Sequence, residues 1–130
     1  MQDKSNESTP QRPQGDRLLD APLVTMDLNQ FIEQVRSEPT WNDSDRNSIT
    51  VFKSEKMRVV LIGLRKGAEL KTHTANGPIT VQVLEGHIKF QTELKVVELR
   101  NKQMLTLKEK IPHSVLALEE TFFLLTMAMV

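Results

Sequence analysis

The chain has no cysteine, and this absence removes several kinds of site at once. A disulfide scaffold, a thiolate metal site and a cysteine nucleophile are all excluded, so any bound metal must use histidine, carboxylate or water ligands. The chain also has no excess of charge, because 17 Lys and Arg residues balance 17 Asp and Glu residues. Without a summed positive field to attract nucleic acid or an anionic membrane, neither partner is expected.

Long apolar runs are also missing. The longest apolar stretch, Thr121 to Val130, falls well short of the roughly 20 residues that a membrane-crossing helix needs, and it is predicted to be a buried strand. The first residues mix acidic and basic side chains and lack the apolar core of a secretory signal. A cytoplasmic protein is therefore expected.

A length of 130 residues suits one globular domain. Residues 1–20 are rich in Gln, Ser, Asn, Pro and charge, so we expect a disordered tail, followed by a single domain over residues 21–130. Apolar residues at helical spacing predict a short helix from Leu28 to about Ser37, with Asp27 as its N-cap and Pro39 as its stop.

The segment Trp41 to Ser48 is polar and is predicted to be a loop, in which Trp41 covers an apolar surface. From Ile49 onward, short runs of Val, Ile, Leu, Phe and Thr alternate with turn residues, which indicates an all-β sandwich or barrel. The strands are predicted near Ile49 to Lys53, Met57 to Leu64, Glu69 to His73, Ile79 to Leu84, His87 to Thr92, Lys95 to Leu99, Met104 to Leu107, His113 to Ala117 and Thr121 to Met129.

The run Met57 to Leu64 is apolar on both faces apart from Arg58. A strand of this kind needs cover on both sides, and a second subunit could supply one of them. A homodimer is therefore expected.

Two histidines stand in recognisable sequence frames. The segment GAELKTHTANGPITVQVLEG resembles the first motif of the cupin family, since Gly67, His73 and Gly86 stand at the spacing of its first glycine, first histidine and closing glycine. The positions of its second histidine and its glutamate are Ala75 and Ile79. The resemblance therefore implies the cupin barrel with an altered metal site.

The segment NKQMLTLKEKIPHSVLALEE resembles the second cupin motif through His113. The remaining positions of that motif carry Lys102 and Lys110 in place of glycines, Lys108 in place of proline and Ala117 in place of asparagine. The resemblance covers roughly residues 57–130 and implies an all-β, cupin-type double-stranded β-helix, or jelly-roll barrel, with a short N-terminal helix. It also implies that the barrel interior brings His73 and His113 together.

Turn chemistry adds expectations of its own. Gly67 and Gly86 stand at predicted turns that need positive φ or a close backbone approach, and Asn101 could supply left-handed geometry beside Lys102. His87 follows the hairpin glycine and is predicted to lie on the surface.

Alternation along the predicted strand places Ile79, Val81 and Val83 on one face, so the floor of the pocket should be apolar. His73 and His113 then form its polar groups, the general composition of a small-molecule site. The candidate ligand-binding residues are His73, His113, Ile79, Val81 and Met104. Further candidate lining residues, for which core packing is the better explanation, are Met57, Phe90, Phe122 and Met127.

Three hypotheses for function follow. The first is a small dimeric cupin that binds a small ligand, and a weakly held divalent metal (Zn, Fe, Mn or Ni), at His73 and His113. The second is a metal-dependent isomerase or dioxygenase-like enzyme whose missing ligands come from water or from positions not yet identified, with Glu69 and Glu85 as substitutes to consider. The third is a sensory or protein-interaction module with a residual pocket. An epimerase of the cupin type is disfavoured because the chain has no tyrosine to act as its acid.

Overall fold

The computed structural model describes residues 4–6 and 17–130, and strands dominate that part of the chain. The elements are β1 (Lys4–Asn6), β2 (Arg17–Asp20), α1 (Leu28–Ser37), α2 (Pro39–Asp43), β3 (Arg46–Lys53), β4 (Met57–Leu64), β5 (Glu69–His73), β6 (Ile79–Glu85), β7 (His87–Thr92), β8 (Val96–Arg100), β9 (Met104–Leu107), β10 (His113–Ala117) and β11 (Thr121–Ala128).

Two antiparallel sheets form the barrel. One sheet has the strand order β5-β10-β7-β8, and the other has the order β3-β4-β11-β6-β9. The inner faces of the two sheets pack together and enclose a core that includes Val81, Val83, Ile88, Phe90 and Phe123. The expected all-β barrel with a short helix before it is confirmed.

Strand β4 has apolar residues on both faces because it contributes to two cores. Val59 and Leu61 belong to a second core on the outer face of the five-stranded sheet, where Ile32 and Val35 of α1 pack against them. Ile62 and Leu64 face the barrel interior. The helices therefore provide the second layer that the sequence suggested a partner subunit could supply, and this strand is no longer an argument for a dimer.

Helix α1 begins as predicted, with the Asp27 Oδ1 accepting a hydrogen bond from the Gln30 backbone N–H at 3.2 Å. The predicted loop from Trp41 to Ser48 is wrong at both ends. Pro39 begins the short helix α2, which extends to Asp43, and strand β3 already starts at Arg46. Proline is favoured in the first turn of a helix, so Pro39 separates two helices where the sequence suggested only a stop.

Trp41 covers an apolar surface, as expected. Its ring lies 5.2 Å from the ring of Phe122, centroid to centroid, and both side chains are buried. Arg36 extends from α1 over the same Phe122 ring and forms an ion pair with Glu85 at the end of β6, with an N–O distance of 2.7 Å. These contacts attach the helical layer to the sheet.

The N-terminal tail falls mostly outside the described residues, and its predicted disorder stays a prediction. Within it, β1 pairs in antiparallel fashion with β2, which approaches β3. None of the helices within residues 4–6 and 17–130 is long and apolar enough to cross a membrane.

Candidate functional site

The barrel encloses a cavity of about 230 Å³ between its two sheets. Its walls are mostly apolar and include Ile79, Val81 and Phe123, while its polar lining consists of His73, Thr74, Asn76 and His113. Among residues 4–6 and 17–130, no Asp, Glu, Lys or Arg side chain contributes to the lining. The cavity therefore suits a largely apolar molecule that has one or two hydrogen-bonding groups.

Sheet topology brings the two histidines together across 40 positions of sequence. Strands β5 and β10 are neighbours, and their register makes His73 the direct partner of His113. The centroids of the two imidazole rings are 4.3 Å apart, with an angle of 60° between the ring planes. The expected meeting of His73 and His113 inside the barrel is therefore present.

Both rings have the same hydrogen-bond arrangement. The Nδ1 of His73 lies 2.7 Å from the carbonyl oxygen of Lys71, and the Nδ1 of His113 lies 2.8 Å from that of Ile111. Because a carbonyl oxygen can only accept, each Nδ1 carries the proton and donates it. When a ring is neutral, this arrangement leaves its Nε2 lone pair to accept a hydrogen bond or to bind a metal.

The two histidines differ in their exposure. His73 is exposed at the mouth of the cavity, whereas His113 is 4% exposed and stacks on the ring of Phe90 at a centroid distance of 5.3 Å. Burial lowers the pKa of His113 below the ordinary histidine value of 6.5. The hydrogen bond to Ile111 partly opposes this shift, and the nearby His73 adds to it. His113 is therefore a neutral imidazole at pH 7.

The cavity residues that the structure describes do not supply the ligand set of a catalytic metal centre. Ala75 and Ile79, which stand at the two remaining ligand positions of the first motif, both line the cavity with apolar side chains. Within residues 4–6 and 17–130, no group of three or more His, Cys, Asp or Glu residues is placed to hold a metal ion. Two imidazoles alone do not fit a centre that needs three or more protein ligands.

The two glutamates considered as substitute ligands have other positions. Glu85 forms an ion pair with Arg36 on the side of the sheet that faces the helices. Glu69 lies exposed at the start of β5, and its backbone carbonyl accepts a hydrogen bond from Arg46 at 2.8 Å. Neither residue lines the cavity.

Four of the five residues proposed for ligand binding line the cavity: His73, Ile79, Val81 and His113. Met104 does not. It is the register partner of Gln82, and residues directly opposite each other on paired strands share a face. Because Val81 faces inward, Gln82 and Met104 face outward, and Met104 is 56% exposed.

The further candidates divide in the same way. Phe90 and Met127 line the cavity, Phe122 lies in the second core against the helices, and Met57 is exposed. The apolar character of these residues was visible in the sequence, but their distribution between two cores and the surface was not.

The expected surface position of His87 is wrong. This residue is 9% exposed, and its Nε2 lies 2.6 Å from the Oε1 of Glu98 on the neighbouring strand β8. The carboxylate on the neighbouring strand gives the buried imidazole a hydrogen-bond partner, which offsets the cost of burying a polar group.

The turns around the site keep left-handed backbone where the second cupin motif has glycines. Gly67 and Gly86 have positive φ, as expected, and so do Lys102 and Lys110, with φ angles of 68° and 60°. Asn101 does not provide the left-handed residue. Its side-chain Oδ1 instead accepts a hydrogen bond from the Gly86 N–H at 2.7 Å, which joins the two turns.

Sequence reasoning missed the residues that close one end of the cavity. The loop over residues 74–77 and the segment 128–130 both contribute to the lining. Gly77 packs directly against the backbone of Ala128, where an added Cβ would overlap the carbonyl oxygen. A glycine in a polar loop was a sequence signal for a close backbone contact, but the sequence did not show which distant segment it contacts.

Comparison with known proteins supports the fold. No family model matches the chain, and no curated protein matches it. A conserved protein of unknown function from Streptococcus pyogenes superposes with a TM-score of 0.68 at 21% identity, over 86% of this chain and 91% of that one. A cupin superfamily protein from Desulfitobacterium hafniense superposes with a TM-score of 0.64 at 13% identity, over 65% of this chain and 78% of that one.

A similar match is found with an RmlC-like cupin protein from Desulfovibrio desulfuricans. Its TM-score is 0.61 at 28% identity, over 66% of this chain and 84% of that one. Together with the sheet order and the paired histidines, these matches identify the chain as a small domain with the cupin fold.

Proposed function

We propose that this cupin domain is a binding protein for a small, largely apolar molecule, which occupies the barrel and forms hydrogen bonds with His73 and His113. The carrying observation is an apolar cavity lined by two imidazoles, His113 buried and His73 at the mouth, whose Nδ1 atoms are already hydrogen-bonded to backbone carbonyl oxygens. The two Nε2 atoms accept hydrogen bonds, so the preferred ligand presents a hydroxyl or an N–H group.

The size of the cavity limits the ligand. A dry cavity of about 150 Å³ lined by apolar side chains accommodates benzene. The cavity here, at about 230 Å³, has room for a single ring with a substituent or for a short alkyl chain. Larger ligands would have to extend past the exposed His73 at the mouth.

The test is a screen of small hydroxylated compounds by ligand-observed NMR, followed by dissociation constants for the best binder. His113→Phe keeps a ring on Phe90 but removes the Nε2 acceptor, and we expect binding to weaken roughly fivefold to tenfold, the effect of one hydrogen bond. Ala75→Phe fills the cavity and should abolish binding. A ligand that binds both variants as tightly as the wild-type protein is not in this cavity.

A weakly held divalent metal is a second candidate, favoured by the two free Nε2 atoms. Metal-ligating histidines commonly donate their other ring N–H to a carbonyl or carboxylate oxygen, as both Nδ1 atoms do here. Two protein ligands leave the remaining positions to water, so the affinity should be low. Elemental analysis of native protein and of a His73→Ala/His113→Ala variant tests it, because a specific metal must be lost from the variant.

The enzyme and the interaction-module hypotheses have less support. The metal-dependent isomerase and dioxygenase-like reactions need a metal set that the cavity residues do not supply, and we propose no catalytic step. A purely residual pocket predicts a collapsed barrel, whereas this barrel encloses open volume.

A further inference from the structure

Two cations lie directly opposite each other on the barrel face of the five-stranded sheet. Lys53 of β3 is the register partner of Arg58 of β4. Along β4, Val59 and Leu61 face the helices, so Arg58 lies on the opposite face, the face of Ile62, which lines the cavity. Like charges in a directly opposed pair are destabilising.

Neither cation has a carboxylate partner among residues 4–6 and 17–130. The ion pairs found there involve Arg36, Arg46 and His87 instead. Glu55 lies in the turn between β3 and β4 but forms no ion pair with either residue. The Nε of Arg58 is buried and lacks a hydrogen-bond partner. A buried donor without an acceptor is costly, so this arrangement suits a protein that gains an acceptor from outside.

The cation pair lies beside the cavity. The other register partner of Arg58 is Met127 of β11, which lines the cavity and lies next to Ile79 in the following strand. The backbone N–H of Met129, another lining residue, donates to the carbonyl oxygen of Lys56 at 2.9 Å. The turn between β3 and β4 is thereby joined to the segment that closes this end of the cavity.

We propose that Arg58, supported by Lys53, binds the carboxylate of an amphipathic ligand whose apolar part occupies the barrel. The planar guanidinium matches a carboxylate in shape and supplies charge-assisted hydrogen bonds. The ligand class is therefore a small monocarboxylic acid with a short chain or a single ring. This inference rests on the proposed binding function and adds a recognition element at the rim, away from the histidines.

The experiment uses a matched pair of probes, octanoate and octanol, which share a chain and differ in charge. Amide NMR spectra of the full chain are recorded during titration at about pH 8, above the ordinary histidine pKa, so that neutral imidazoles do not attract the anion. We expect octanoate to bind roughly tenfold more tightly than octanol, the size of one charge-assisted interaction at a partly exposed site.

Three variants locate the effect. Arg58→Gln should remove the preference for octanoate and leave octanol binding unchanged, and Lys53→Gln should reduce the preference. Lys95→Gln is the control, because Lys95 is exposed in the β7–β8 turn and its loss removes the same charge elsewhere. Arg58→Lys keeps the charge and should retain part of the preference, which separates recognition from a folding defect in Arg58→Gln.

The outcomes distinguish this inference from the proposed function. If octanol perturbs the cavity amides but octanoate binds no better, or if Arg58→Gln and Lys95→Gln behave alike, the carboxylate site is overturned and the apolar barrel stands. If neither probe perturbs the amides of Val81, Phe90 and Met127, both proposals are overturned.

Discussion

The left-handed lysines at the barrel turns should be destabilising, and replacing them with glycine should stabilise the protein. Lys102 and Lys110 have φ angles of 68° and 60°, and both side chains are exposed and outside every ion pair found among residues 4–6 and 17–130. Each substitution therefore changes the backbone preference with little loss of side-chain contact. The turn hydrogen bonds, from the Lys102 N–H to Val83 and from the Lys110 N–H to Ala75, use backbone atoms that glycine also has.

The magnitude follows from two opposing terms. A side-chain-bearing L-residue in the left-handed region costs about 1–2 kcal/mol. Glycine itself lowers the free energy of unfolding by about 0.5–1 kcal/mol, because it gives the unfolded chain more conformational freedom. The net expectation for Lys102→Gly or Lys110→Gly is a gain of roughly 0.5–1 kcal/mol in the free energy of unfolding, or about 2–6 °C in Tm.

Urea unfolding followed by the fluorescence of Trp41, the single tryptophan, measures this gain. With an m-value of about 1–3 kcal/mol per molar urea, the midpoint should rise by a few tenths of a molar unit. Lys108→Gly is the matched control, since Lys108 is an exposed lysine in the same β9–β10 turn as Lys110 but lacks positive φ. Lys108→Gly relieves no left-handed strain, so only the flexibility of glycine changes the stability, and the free energy of unfolding should fall by about 0.5–1 kcal/mol.

The sign of the change in the free energy of unfolding decides whether the two lysines are strained. If Lys102→Gly and Lys110→Gly lower the free energy of unfolding as much as Lys108→Gly does, the lysines are not strained and the argument from φ is refuted. If the double variant gains less than the sum of the single ones, the two turns are coupled.

Other predictions follow from the cores, the buried histidine and the assembly. Phe122→Ala should lower the free energy of unfolding by about 3–5 kcal/mol and shift the emission of Trp41, and a loss under 1 kcal/mol would contradict the stacked core. Because burial lowers the pKa of folded His113, its protonation opposes folding, so stability falls as pH drops from about 6.5 toward the folded pKa. His113→Phe should flatten that slope in urea titrations, and an unchanged slope would exclude His113 as its source. A homodimer stays a prediction for light scattering, where a monomeric mass would refute it.

Much of the barrel could be predicted from the sequence because its local signals agree with its packing. The strand bounds of β4, β5, β7, β9 and β10 were predicted correctly, since short runs rich in apolar residues, separated by glycine or polar turn residues, mark them. Polar composition concealed α2 and the start of β3, because a short surface helix and an edge strand both carry many polar residues. Whether a second apolar face meets a helix or another subunit depends on distant residues, so the layer over Val59 and Leu61 was not predictable.

The candidate site was predictable where it followed strand alternation. His73, Ile79, Val81 and His113 all face the cavity, because the period of a strand and the frame of each motif placed them together. Met104 was proposed because it is apolar, but the sequence did not give its strand register. Its pairing with Gln82 places it on the outer face of the sheet. The rim contributed by residues 128–130 and the cation pair at Lys53 and Arg58 come from long-range pairing that no local pattern reveals.

The position of β11 has a consequence for how the chain folds. This strand follows all other described strands in sequence, yet it lies in the middle of its sheet, between β4 and β6. Until it arrives, β4 and β6 expose unpaired edges and apolar faces that could pair with other chains. Barrel closure must therefore wait for contacts of long sequence separation, which slows folding. A chaperone that shields β4 and β6 during synthesis should raise the yield of folded protein more than one that acts after release.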